Sequence, residues 1–179
     1  MGKKSEGLDY GCVAKGSKEG KRNANFIVGM SYDKGIVLFE LYISPITGDR
    51  FAEIVKTAIP EALEKSINPQ IRRILMDGCP RQNSKVAKDA IASIGGMIMS
   101  IPARSPDLNP IENIFAQVSR ILESQAVERN LIKETFDEFS DRVKNTLIDF
   151  DKERINKVID SMPKRLNEVI RAKGQRIDC

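Results

Sequence analysis

The chain has 179 residues, 41% of them hydrophobic and none of them tryptophan, which suits a single globular domain with a modest core. Histidine is absent and the three cysteines, Cys12, Cys79 and Cys179, stand far apart, which excludes a zinc site and any histidine-based triad or general base. Carboxylates and a metal ion are what remains for any chemistry. Net charge is +4, with the excess at the ends: six Lys/Arg against three acids in residues 1–24, and eight against four in residues 152–179. Such an excess fits a polyanion partner, but a solvated charged surface is the commoner explanation of one so modest. No apolar run approaches the roughly 20 residues of a membrane span, and Met1-Gly2-Lys3-Lys4 lacks the apolar stretch of a secretory signal. The scattered thiols indicate a reducing compartment.

Residues 1–23 are polar and glycine-dotted, with Lys15, Lys18, Lys21 and Arg22 in a run of no helical or strand period, and read as a flexible basic arm. Asn25 to Tyr32 and Gly35 to Ile43 read as a hairpin across Asp33-Lys34-Gly35. From Thr47 a helix is expected on the stripe Phe51, Ile54, Val55, Ala58, Ile59, Ala62 and Leu63, with Pro60 kinking it or starting a new turn. Ile71 to Met76 is a strand that delivers Asp77 at its carboxyl end. Asn83 or Ser84 caps a helix with Val86, Ala87, Ala90, Ile91 and Ile94 inward, stopped at Gly95-Gly96. The continuous apolar run Met97 to Ile101 predicts a parallel strand covered on both faces. Three helices follow. The first buries Ile111, Phe115, Val118 and Leu122. The second opens on a Thr135–Glu138 capping box and turns Phe136, Phe139, Val143 and Leu147 inward. The third carries Ile155, Val158, Ile159, Met162, Leu166, Val169 and Ile170, with a kink at Pro163.

The stretch 74–116 organises the rest. Asp77 at a strand end and Glu112 at a helix start are separated by one helix and one strand, which brings the two ends side by side. Two carboxylates there make a hard-oxygen site of the kind that holds magnesium or manganese. Asn109-Pro110-Ile111-Glu112 also parses as a capping box, with Asn109 at the N-cap, and Asp77 as a polar residue ending a strand before a turn; on spacing alone both readings stand.

The segment Pro102-Ala103-Arg104-Ser105-Pro106-Asp107-Leu108-Asn109-Pro110-Ile111-Glu112-Asn113 resembles the signature before the last catalytic acid of mariner-superfamily (Tc/mariner) DDE transposases, and Asp77 stands where that family has its second acid. Ser161-Met162-Pro163-Lys164-Arg165-Leu166, with Val169-Ile170 and Lys173-Gly174, is similar to the tail of the same proteins, so the resemblance spans about residues 24–179. It implies a ribonuclease-H-like α/β fold, a mixed sheet with helices on both faces and helices at the C-terminus. The hairpin matches that fold's second and third strands, and Gly7 to Gly20 the linker before them. The first strand, with the first catalytic aspartate, is expected before Met1 or missing.

The family's chemistry is metal-dependent DNA strand cleavage and transfer, in which three acids hold two Mg2+ or Mn2+ ions. The resemblance makes Asp77 and Glu112 the two outer catalytic and metal-holding acids, with no bridging aspartate; Asp9, Asp33 and Asp107 are weak substitutes. Gln82 stands where many relatives have histidine. Expected nucleic-acid contacts are Lys15, Lys18, Lys21, Arg22, Arg81 and Arg104. Implied partners are DNA (transposon ends and target) and a homodimer or full-length transposase, with no membrane, in the nucleus or in the cytoplasm before import. The expectation is a catalytic core, inactive alone because its first acid is missing. The alternatives are a non-catalytic module that binds DNA backbone or another transposase subunit, and a non-functional transposon relic.

Overall fold

The structure, a computed structural model, describes residues 25–42, 45–102 and 105–175. The expected basic arm 1–23, and with it Lys15, Lys18, Lys21 and Arg22, lies outside the described residues, as does Arg104.

Strands β1 (Asn25–Ser31) and β2 (Gly35–Tyr42) pair antiparallel from Asn25↔Tyr42 to Ser31↔Gly35, with a register shift between Gly29 and Met30. The turn between them needs left-handed backbone at Asp33 (φ 59°) and Gly35 (φ 77°), the conformation that Asp and Gly adopt at least cost. Its tip is fixed from a distance: the Asp33 amide donates to Asn156 Oδ1 at 2.7 Å.

Helix α1 (Gly48–Thr57) starts on Thr47, whose hydroxyl accepts the Arg50 amide at 3.2 Å, and buries Phe51, Ala52, Ile54 and Val55. Of the two outcomes expected at Pro60, a kink or a new turn, the second is found. Pro60 has no amide hydrogen to give the preceding turn, so it sits in the first turn of a new helix, α2 (Ile59–Glu64). Strand β3 (Arg73–Met76) then runs parallel to β4 (Met97–Ser100), with Arg73↔Met97 to Met76↔Ser100 in register. Between them α3 (Lys85–Ser93) is capped by Ser84, whose hydroxyl accepts the Ala87 amide at 3.3 Å. Ile71 stays outside the strand, and Val86 faces solvent rather than the core.

A 3-10 turn (Pro106–Leu108) leads into α4 (Pro110–Glu128), which buries Ile114, Val118 and Leu122; Ile114 takes the central position expected of Phe115. Helix α5 (Phe136–Ile148) opens on the expected box. The Thr135 hydroxyl accepts the Glu138 amide at 3.2 Å and Glu138 Oε2 accepts the Thr135 amide at 2.8 Å. Arg142 on α5 grips Glu134 with two nitrogens, at 2.7 and 2.6 Å, and reaches the Leu122 carbonyl at 2.9 Å, which ties α5 to α4. The expected final helix also divides, into α6 (Lys152–Asp160) and α7 (Met162–Arg171), with Pro163 in the first turn of the second. Leu166 and Ile170, expected in the core, are exposed.

The layers follow from these faces. One cluster joins α1 and α3 to Ile27, Leu38 and Tyr42 of the hairpin and to Ile74, Met76 and Ile98 of the parallel pair. A second joins α4, α5 and α6 to Phe26, Val28, Met30, Ile36 and Phe39 on the hairpin's other face. The hairpin is thus covered on both sides. The expected mixed sheet has its antiparallel and parallel parts, but among the described residues they form two separate two-stranded sheets. β4 is not covered on both faces either: Ile98 is packed while Met97 and Met99 are exposed. No strand precedes β1 among the described residues, and none of their helices is long and apolar enough to cross a membrane.

Candidate functional site

Asp77 follows directly on β3. Its Oδ1 accepts the Cys79 amide at 3.2 Å, and Asn83 Nδ2 donates to the carbonyls of Asp77 and Cys79, both at 3.3 Å. These bonds fold residues 77–83 into a tight turn that holds the half-buried carboxylate at the strand's end. Among the described residues nothing donates to Oδ2, which is open to a ligand.

The second acid arrives through β4. The Ile101 amide donates to the Met76 carbonyl at 3.1 Å, so the chain leaves the parallel pair beside the residue before Asp77. Beyond the 3-10 turn, Asn109 caps α4, its Oδ1 accepting the Ile111 amide at 3.4 Å, and Pro110 takes the first helical position as expected. Glu112 is half-buried in that first turn, where the positive end of the helix favours a carboxylate. Asp77 thus follows the carboxyl end of one strand of the parallel pair, and Glu112 stands on the connection that leaves the same end of the other.

What fixes that connection was not legible in the apolar pattern. Arg165 of α7 is buried, 9% exposed, among apolar neighbours on its own helix. Its Nη1 donates to Asn113 Oδ1 at 2.6 Å and to the Asp107 carbonyl at 3.2 Å, and its Nε to Ser161 Oγ at 2.8 Å. One guanidinium thus joins α7 to the 3-10 turn and to the residue after Glu112. The available signal was a basic residue three places after Met162 and four before Val169, in the middle of an apolar stripe.

Arg81 is exposed in the turn after Asp77. It lies near Tyr42, whose phenol is pushed up chiefly by burial, with the Arg81 charge acting in the opposite sense. The other five basic residues expected to touch nucleic acid are outside the described residues.

The donors fit a hard divalent ion in kind, since Asp77 and Glu112 both offer carboxylate oxygens. In number they fall short: among the described residues no three acid, cysteine or histidine side chains come together as a metal-holding group.

The model of the DDE superfamily endonuclease family matches residues 6–148. No curated protein matches the chain. Among solved structures, the Mos1 transposase catalytic domain with raltegravir and Mg is 17% identical at a TM-score of 0.73, over 88% of this chain and 79% of that one. The Mos1 mariner paired-end complex with Mn is 18% identical at a TM-score of 0.75, over 92% of this chain and 48% of that one. The Mos1 strand transfer complex is 15% identical at 0.68, over 99% and 50%. The chain thus spans about four fifths of the isolated catalytic domain and half of the longer transposase chains. At these identities the likeness carries the fold, and the family match reaches from the residues before the hairpin to the end of α5. Sequence signature, strand–helix order and fold converge: the chain belongs to the DDE superfamily endonucleases and shares the ribonuclease-H-like fold of the Mos1 transposase catalytic domain.

Proposed function

We propose that this chain is the core of a DNA transposase in which Asp77 and Glu112 are two of the acids that hold Mg2+ or Mn2+. The supporting observation is the Ile101–Met76 hydrogen bond, which sets the departure of the chain toward Glu112 beside the strand end that carries Asp77. Asp77 would offer Oδ2 while the Cys79 amide orients Oδ1, and Glu112 would act from a helix start that Asn109 and Arg165 hold in place. A divalent ion bound there supplies Lewis acidity at a phosphodiester. In the family a third acid bridges the ions, and the signature supplies this chain with the two outer ones; unassisted, the chain is proposed to bind a divalent ion weakly and not to cut or join DNA.

The test is Mn2+ binding followed by electron paramagnetic resonance, beside nicking of end-bearing DNA. The expected result is weak binding that both Asp77→Asn and Glu112→Gln reduce at least tenfold, with no nicking. Binding that survives both substitutions overturns the assignment of the acids. Nicking that Asp77→Ala abolishes overturns the proposed inactivity.

A second reading, in keeping with the absence of a three-acid group among the described residues, is a module that binds DNA or another transposase subunit without chemistry. It is distinguished by DNA binding in EDTA that is indifferent to Glu112→Gln.

A further inference from the structure

Three of the basic residues in the C-terminal helices share one place in the fold. Between α4, α6 and α7 lies an open cleft of about 310 Å3, lined by Gln117, Arg154, Lys157, Val158, Ser161 and Arg165. Three of these six side chains are cationic and none is acidic, in a chain with 29 Lys/Arg and 25 Asp/Glu. We propose that this cleft holds a phosphate of a nucleic-acid duplex backbone.

Arg165 is the central observation. A guanidinium this deeply buried needs compensation for the water it loses, normally from a carboxylate. Its three acceptors are a carbonyl, an amide oxygen and a hydroxyl, all neutral, and among the described residues no carboxylate stands within ion-pair distance. Nη2 has no acceptor among the described residues. The cleft it lines therefore has a guanidinium with a donor to spare at its floor, while the buried carboxylate of Asp107, the residue whose carbonyl it holds, is not part of the cleft lining. At the rim, Arg154 reaches Asp151 only at 3.9 Å with both side chains more than half exposed, a pairing too weak to neutralise it. Lys157 is exposed beside it. Such a set of charge-assisted donors matches phosphate oxygens.

The lining also separates the sources of phosphate. Val158 is the one apolar lining residue and no aromatic side chain is present, so a base has nothing to stack on. A mononucleotide or an unstacked single strand would gain little here. A duplex backbone needs only the charges.

The inference deepens the proposed function by naming where the duplex lies, and it is tested without metal so that its failure is separate from that of the two acids. A labelled duplex of about 20 base pairs and arbitrary sequence is titrated in EDTA by fluorescence anisotropy at several salt concentrations. Each lost phosphate contact should flatten the slope of log K against log salt by about 0.9. Arg154→Gln with Lys157→Gln should flatten it by about one to two units, and Gln117→Glu, which sets a carboxylate in the cleft, should weaken duplex binding further. Lys56→Gln with Lys88→Gln, exposed on α1 and α3, is the control pair and should leave the slope unchanged. Equal slopes for cleft and control pairs overturn the proposal. So does a cleft variant that loses inorganic phosphate binding, followed by calorimetry, yet keeps full duplex affinity, because the site then belongs to a small phosphate ligand.

Discussion

At the scale of the residue, Arg165 joins the floor of the basic cleft to the loop that carries Glu112. Its fork reaches Asp107 and Asn113 with one nitrogen and Ser161 with another, a geometry that an ammonium group on a flexible stem does not reproduce. Arg165→Lys keeps the charge and should still lose about 2 kcal/mol of stability, the usual worth of charged hydrogen bonds left partly unmade. Asn113→Ala removes one acceptor of the same network. The two substitutions together should therefore cost clearly less than the sum of their separate effects. Urea unfolding of the parent, both single variants and the double variant measures the coupling; strict additivity would mean that the 2.6 Å contact contributes nothing.

Among the elements, helix starts were the most legible because their chemistry is local. Ser84, Thr135 and Asn109 all cap where expected, since a short polar side chain before an apolar period needs only its own next three residues. Helix ends were less so: the two prolines marked where the stripes would bend, but the stripe itself does not record whether the axis kinks or a new helix begins, and Pro60 and Pro163 both stand in the first turn of a new one. Burial at the sheet margin was hidden for another reason. A run such as Met97–Ser100 shows that a strand is apolar on both faces, but which face finds a partner depends on elements far away in the chain. The capping box of α5 also has a pH signature. The Glu138 carboxyl is held below its ordinary value near 4.5, first by the Thr135 amide and then by the Thr135 hydroxyl. A folded-state pKa below the unfolded one gives stability that is present above the unfolded pKa and is lost as pH falls through the folded one. The difference in melting temperature between the parent and Glu138→Gln should therefore be full at neutral pH and shrink as pH falls below about 4.5. A gap that stays constant from neutral pH to pH 3, about a unit below the ordinary range, would show that the carboxylate is not what closes the box.

On the scale of the whole molecule, the hairpin and the parallel pair share one helical layer but no ladder. β1 and β3 each pair with a single strand among the described residues, which leaves a backbone edge on both sheets. The parallel pair adds an uncovered apolar face: Leu75, Met97 and Met99 are 44%, 61% and 47% exposed, while Ile74, Met76 and Ile98 on the opposite side pack against α1 and α3. An open edge beside an apolar face is the arrangement through which sheets from two molecules join. The chain should therefore self-associate with rising concentration, seen as a shift to faster species in sedimentation velocity. Leu75→Lys with Met99→Lys places two charges on that face without touching the packed one, so it should return the chain to a monomer with little change in melting temperature. Ile98→Ala, on the packed side of the same strand, should do the reverse: leave association unchanged and cost about 2–4 kcal/mol through the cavity it opens. The opposite signs expected of residues 98 and 99 separate association through the sheet from general loss of stability, and association that survives the two lysines would place the contact elsewhere on the molecule.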